Sequence, residues 1–256
     1  MLVEYETSMW VDGENASWVD ARSAAEQGAP AVLPFGAFEQ HGPHLPLSTD
    51  TSMAVALARR VAEAVGGFVL PPVCFGETSS NDGFAGTVSL SFDTVCAIAL
   101  DICAGVRRCG FRCLIVVNGD FGNQAPLRVA AREALSRLEW PMLVIDYPGL
   151  AEVAGEVCET RPAGPGIYHA DELETSVMLA VRPDSVRMDR SVAEYPFLPP
   201  TFGSVPTRMH DLSRSGVFGD PRPASAEKGE QILDALADRA VAVAQAFLAT
   251  GSVPAE

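Results

Sequence analysis

Hydrophobic positions along the chain fall into two kinds of pattern. Short runs, apolar but for Arg112 and Asp146 at their ends, occupy residues 29–35, 68–71, 112–117 and 142–146. Between them lie longer stretches, 51–65, 93–109, 124–138, 171–181 and 225–249, with a shorter one at 150–158, where apolar residues recur at helical spacing. The runs predict strands and the periodic stretches predict helices. Gly66-Gly67 closes the first helix, and Ser225 is a favourable N-cap for the last. Strands without polar interruption, alternating with helices, describe a mostly parallel sheet covered on both faces, an α/β fold. Such a sheet places its ligands outside the carboxyl ends of its strands. One doubly wound domain over residues 1–256 accounts for the pattern. Residues 75–91 read as a long loop, and residues 190–224, rich in Pro, Ser and Arg, as a surface excursion.

Composition narrows the function. A hydrophobic content of 48% provides a substantial core, while the net charge of −15 argues against a nucleic-acid groove or an anionic membrane surface as partner. No stretch reaches the ~18 apolar residues of a membrane span, and MLVEYETSMW lacks the basic and apolar regions of a signal peptide. The six cysteines form no CxxC and read as buried free thiols of a cytoplasmic protein. Trp10, Trp18 and Trp140 read as packing residues, and His210 as a surface residue.

Three segments carry candidate chemistry. In 38-FEQHGPHLPLSTD-50, Glu39 and His41 are two apart, so an extended backbone turns both to one side. Asp50 stands at the start of the next helix, where capping alone would account for it. In 117-VNGDFGN-123, Asp120 sits in a turn after a strand, suited to a turn, a ligand or an acid. In 168-YHADELETS-176, His169 precedes a helix whose first turn holds Asp171, Glu172 and Glu174, where carboxylates also complement the helix dipole. Glu172 and Glu174 are about 200° apart on that helix, so one of them is expected in solvent. Carboxylates with histidine suit Zn²⁺, Mn²⁺ or Fe²⁺.

The string 39-EQHGPHLPLSTD-50 closely resembles the signature of the creatininase family. So do the element at 118–123, 169-HADELETS-176 and 216-GVFGDPRPASAEKGE-230, and 83-GFAGTVSLS-91 resembles the family's substrate-side loop. The resemblance spans residues 30 to 250. It implies a three-layer α/β/α fold, a homohexamer, and metal-dependent cleavage of amide or cyclic amide C–N bonds. The family's known reactions are creatinine ring opening, deformylation of pyrimidine intermediates and trimming of a modified peptide. By position, Glu39, His41 and Asp50 match metal ligands, with Asp50 able to bridge two ions. His169 matches a residue near the reacting centre, and Glu174 the glutamate of the HAxxxET element. His44, within the signature, is expected to orient the metal loop by a hydrogen bond.

The chain departs from the family at Asp120, where NGHGGN or NGHxEN carries a ligand histidine. Phe121 replaces a common glycine, and Gly122 stands where one branch has a ligand glutamate. Asp120 is expected to serve as a ligand in place of the histidine. Glu39, Asp50, Asp120 and Glu174 together carry four negative charges, which implies two divalent ions or one in altered geometry. The expected activity is hydrolysis of a small amide or lactam in a specialised biosynthetic pathway, other than the standard creatininase reaction. Glu172 or Glu174 would act as general base and His169 as proton donor to the leaving nitrogen. A ring-forming enzyme on the same scaffold and a metal-poor binding protein are the alternatives. Pocket walls are expected from residues 75–91 and 190–215.

Overall fold

The computed structural model describes residues 10–250; the N-terminal residues scanned for a signal peptide lie, apart from Trp10, outside them. The two central strands explain the fold. In β2 (Ala31–Phe35), Ala31, Leu33 and Phe35 enter one core layer and Val32 the other. In β4 (Leu114–Asn118), Leu114 and Val116 enter the first layer, Ile115 and Val117 the second. Successive side chains point to opposite faces of a strand, so a run with no polar residue has to be covered on both. The two strands pair in parallel from Ala31↔Leu114 to Phe35↔Asn118. With β1 (Val11–Asp12), β3 (Phe68–Val69) and β5 (Met142–Ile145) they form an all-parallel sheet ordered β1-β3-β2-β4-β5.

Helices α2 (Thr49–Val65), α5 (Leu150–Val157), α6 (Glu172–Val181) and α7 (Ala226–Thr250) cover one face through Leu57, Val153, Val177 and Ile232. Helices α1 (Trp18–Glu26), α3 (Phe92–Arg108) and α4 (Gln124–Leu138) cover the other through Ala24, Val95 and Leu127. This is the expected three-layer α/β/α arrangement. The chain leaves β2 through α2 toward β3 and leaves β4 through α4 toward β5, in opposite directions along the sheet. The order therefore switches between β2 and β4, and the crevice at their carboxyl ends is where such a fold holds ligands.

Several local expectations change. β1 and α1 were not read from the pattern, although Ser17 and Asp20 form a capping box at the start of α1. Trp18 is 68% exposed rather than packed. Only Cys103 and Cys113 of the six free cysteines are buried. Ser225 Oγ accepts from Lys228 N at 3.3 Å, as expected of a cap. Residues 190–224 form a largely exposed excursion, as expected, anchored at Glu194. Glu194 accepts from Ser213 Oγ, Arg214 N and Ser215 N at 2.8–3.0 Å, and pairs through its backbone with Gly219. Among the described residues, no helix is long and apolar enough to cross a membrane.

Candidate metal centre

The loop after β2 folds back on itself, with Glu39 N donating to Leu47 O at 3.0 Å. That delivers Glu39 and His41 to the switch point. Helix α2 starts two residues earlier than its apolar pattern suggests. Its N-cap is Ser48, so Asp50 lies in the first turn and is buried, and the capping role expected for it does not occur. The turn after β4 packs against this helix start so closely that a Cβ on Gly119 would collide with Asp50 O. Asp120 caps the short 3₁₀ turn Phe121–Asn123, with Oδ1 accepting from Gly122 N at 3.0 Å. Glu174 reaches in from α6, its Oε2 accepting from Ala170 N at 2.6 Å, with Ala170 in the left-handed region at φ 52.

Six of the expected residues thus converge as three donor sets, two of which share Asp50, while the third joins His169 to Glu39 and His41. Of the two that share Asp50, Glu39, Asp50 and Asp120 form one; His41, Asp50 and Glu174 form the other; donor atoms within each lie within 4.8 Å of one another. His41 Nε2 is 3.1 Å from Asp50 Oδ1 and 3.6 Å from Glu174 Oε2, while its Nδ1 faces the Glu39 carbonyl at 3.3 Å. That carbonyl orients the ring and leaves Nε2 for a ligand, the usual arrangement of a metal-binding histidine. The buried atoms His41 Nε2, Asp50 Oδ2 and Asp120 Oδ2 have no hydrogen-bond partner. Buried polar atoms are seldom left alone, and these three belong to types that bind Zn²⁺ or Mn²⁺. The residues therefore fit a divalent cation.

Electrostatics point the same way. Burial, and then the neighbouring carboxylates Asp120 and Asp50, push Glu39 well above the usual range. Burial and Asp50 do the same to Asp120, and burial raises Glu174 to about 8. Burial opposes a charge on His41, but Asp50, Glu174 and Glu39 outweigh it and raise its pKa well above the ordinary value. Four crowded carboxylates gain from a counter-charge, whether protons or cations.

His169 is held in one tautomer. Asn81 Nδ2 donates to Glu39 Oε2 at 2.8 Å, so its Oδ1 faces Gln40 Nε2, also at 2.8 Å. Gln40 Oε1 meanwhile accepts from Gly42 N at 2.9 Å. The Gln40 amide nitrogen therefore donates to His169 Nε2 at 2.7 Å, and the ring proton sits on Nδ1, 3.7 Å from Glu39 Oε1. Burial and the neighbouring His41 hold His169 well below its ordinary pKa, hence neutral. His44 Nε2 lies 2.9 Å from Thr175 Oγ1, which ties the loop to α6 as expected, and burial lowers its pKa to about 4.

Glu172 does not join the site. Its carboxylate accepts from Glu159 N at 3.1 Å, from Thr160 N at 2.7 Å and from Lys228 Nζ at 2.5 Å. The rotation between Glu172 and Glu174 separates them as expected, yet neither is in solvent. Glu172 is 1% exposed and clamps the chain before the Gly/Pro loop to α7. Held there, Glu172 does not reach the cavity and cannot act as the general base expected of it.

Above the donors is a cavity of about 30 Å³, lined also by Phe121, Tyr147, Tyr168 and His169. That is room for roughly two water-sized occupants. Its walls come from the ends of β4 and β5 and the segment before α6. Residues 75–91 and 190–215 do not line it; the first of these segments supports the site through Asn81. Gly122 admits no side chain, because a Cβ there would collide with Glu77 O. The place of the family's second-branch glutamate is filled by backbone. Gln40, Asn81 and Tyr147 were not singled out from the sequence. Gln40 lies inside the signature, Tyr147 two residues past a strand's carboxyl end, and Asn81 carries no sequence signal.

Fold and site together define an α/β protein with a buried carboxylate–histidine nest that fits divalent cations at its switch point. The sequence profile of the creatininase family, described as creatinine amidohydrolase, matches residues 14–244. The chain belongs to the creatininase family of amidohydrolases. It is 36% identical over 212 residues to a mycofactocin precursor peptide peptidase of Mycolicibacterium smegmatis, covering 78% of each chain. It is 31% identical over 217 residues to a creatinine amidohydrolase of Pseudomonas putida, covering 79% of this chain and 84% of that one. A creatininase variant described as Zn-Zn type superposes with a TM-score of 0.82 at 29% identity, covering 93% of this chain and 98% of that one.

Proposed function

We propose that the chain is a metal-dependent hydrolase that cleaves the C–N bond of a small amide, open or cyclic. The observation that carries this reading is the pair of donor sets sharing Asp50, placed directly beside a neutral His169. Glu39, Asp50 and Asp120 would hold one ion, and His41, Asp50 and Glu174 a second, with two divalent charges balancing four carboxylates. Such ions supply Lewis acidity, polarising a carbonyl and acidifying water. Glu174, on the wall of the cavity, takes a proton from the attacking water. The departing nitrogen takes its proton from Glu174; His169, neutral with its proton on Nδ1, is not the proton donor expected from the sequence and instead offers that nitrogen a hydrogen bond. Gln40 holds His169 in that tautomer, and the aromatic wall limits bulk water.

A peptide amide is the second reading, supported by the 36% identity to a relative named as a peptidase. Elemental analysis and product masses test both. The expected result is two divalent ions per chain and an amide product heavier by one water. Loss of a water would mean ring formation, and a chain that takes up no metal on reconstitution would be a binding protein.

A further inference from the structure

Tyr147 is the residue at this cavity whose conformation the protein itself does not account for. It lies just beyond β5, in the left-handed region at φ 38, which a non-glycine residue rarely adopts. Its side chain is buried at 8% exposure and lines the cavity with Asp50, Asp120 and Glu174, yet its hydroxyl has no hydrogen-bond partner. Tyrosine hydroxyls normally find a partner when buried, and strained backbone collects where a ligand is handled.

The neighbourhood holds the residue in place. Asp146 accepts from Asn118 Nδ2 at 2.8 Å and from Arg128 Nη2 at 2.9 Å, and Asn118 Nδ2 also reaches Asp120 O at 2.7 Å. The ends of β4 and β5, and with them Asp120 and Tyr147, are thereby fixed relative to each other. Leu150 N donates to Tyr147 O at 3.2 Å, closing the turn behind it. The exposed Phe121 ring meets Tyr147 edge-on, centroids 6.5 Å apart at 74°. The turn and the Phe121 ring set the side chain, and its buried hydroxyl lies in the field of the cavity carboxylates Asp50, Glu174 and Asp120. The protein acceptors around it are the carboxylates assigned to cations, which leaves an oxygen of the bound molecule.

We propose that the Tyr147 hydroxyl donates a hydrogen bond to the carbonyl oxygen of the bound amide. This rests on the amide-hydrolase reading above and deepens it, since it requires a substrate carbonyl on the β5 side of the cavity. When water adds to the carbonyl carbon, the C=O π pair moves onto that oxygen and the water proton passes to Glu174. The C–N bond then breaks as the proton held by Glu174 passes to the nitrogen, while the neutral His169 keeps its own proton and offers Nδ1–H to that nitrogen only as a hydrogen bond. Tyr147 keeps its own proton throughout; its bond strengthens as charge develops on the oxygen.

Tyr147→Phe tests this with acetohydroxamate, a small carbonyl-bearing probe, titrated calorimetrically into zinc-loaded protein. The expected result is an affinity about tenfold weaker, with zinc content and thermal midpoint unchanged, because the hydroxyl removed bonds to nothing in the protein. Unchanged affinity would overturn the proposal. So would loss of zinc in the variant, which would make Tyr147 a ligand. Where a substrate is in hand, the variant should lose far more in kcat than in KM. If wild-type protein binds zinc and acetohydroxamate yet adds water to no amide, the amide-hydrolase reading fails, while the affinity comparison still decides the role of Tyr147.

Discussion

At the scale of single residues, the site turns on which atoms have partners. His41 Nε2, Asp50 Oδ2 and Asp120 Oδ2 have none, whereas His169 Nε2 is engaged by Gln40. That contrast leaves three atoms open to an ion and holds His169 in one tautomer, a distinction that spacing alone cannot make. It also gives Gln40 a positioning role with a clear test. Replacing Gln40 with Ala frees the His169 tautomer without removing a donor from either ligand set. Turnover should drop about 10- to 100-fold, bound metal should stay the same, and the pH–rate profile should shift. Equal loss of metal and activity would instead mark Gln40 as a support for the ligand loop. The sequence made Glu39, His41, Asp50, Asp120, His169 and Glu174 legible because each lies at the end of a regular element. Gln40 was hidden beside stronger neighbours, and Asn81 acts across 42 residues of chain through Glu39, a distance no local pattern encodes.

At the scale of elements, the strands and helices that pack two-sidedly were legible to within a few residues. Those that hydrophobic periodicity does not define were missed. β1 is two residues long and α1 has two buried residues, so neither leaves an apolar signature. The same limit applies to α6. Its seven consecutive buried residues, Glu172 to Met178, hide which carboxylate serves which purpose. Only the packing of α6 on α7 shows that Glu172 meets Lys228. Glu172→Gln should therefore leave bound metal and turnover near wild type. It should cost about 1–3 kcal/mol of stability, from a charged hydrogen bond lost in a buried place, measured by denaturant unfolding of zinc-loaded protein. A Glu172→Gln protein that is as stable as wild type but inactive would restore the catalytic role expected from the sequence.

At the scale of the whole molecule, four carboxylates are gathered at the sheet's switch point, where two loops and two helix starts have to meet. Carboxylates crowded in this way gain from a counter-charge, and the consequence is measurable in the metal-free protein. Burial raises the pKa of Glu174 from 4.5 to about 8, and pushes Glu39 and Asp120 up as well. A raised carboxyl keeps a proton in the folded state that the unfolded chain has already released, so metal-free stability increases as pH falls from 8. His41 acts in the same direction: its pKa is raised in the fold, so its contribution is complete below 6.5 and is lost as pH climbs through the folded value. His44, lowered to about 4, and His169, also lowered, act oppositely, but only below 6.5, where the unfolded chain takes up protons that these rings refuse. Between pH 8 and 6.5 the carboxylates and His41 therefore dominate. Bound zinc replaces those protons and removes the dependence. At zinc a thousandfold above its Kd the loaded protein gains about 4 kcal/mol, roughly 10 °C in thermal midpoint for a chain of this size. Chelation should lower the midpoint at both pH values, and lower it more at pH 8 than at pH 6.5. An equal drop at the two would mean the carboxylates are not crowded in solution as they are here, and no drop at all would leave the nest without a cation to hold.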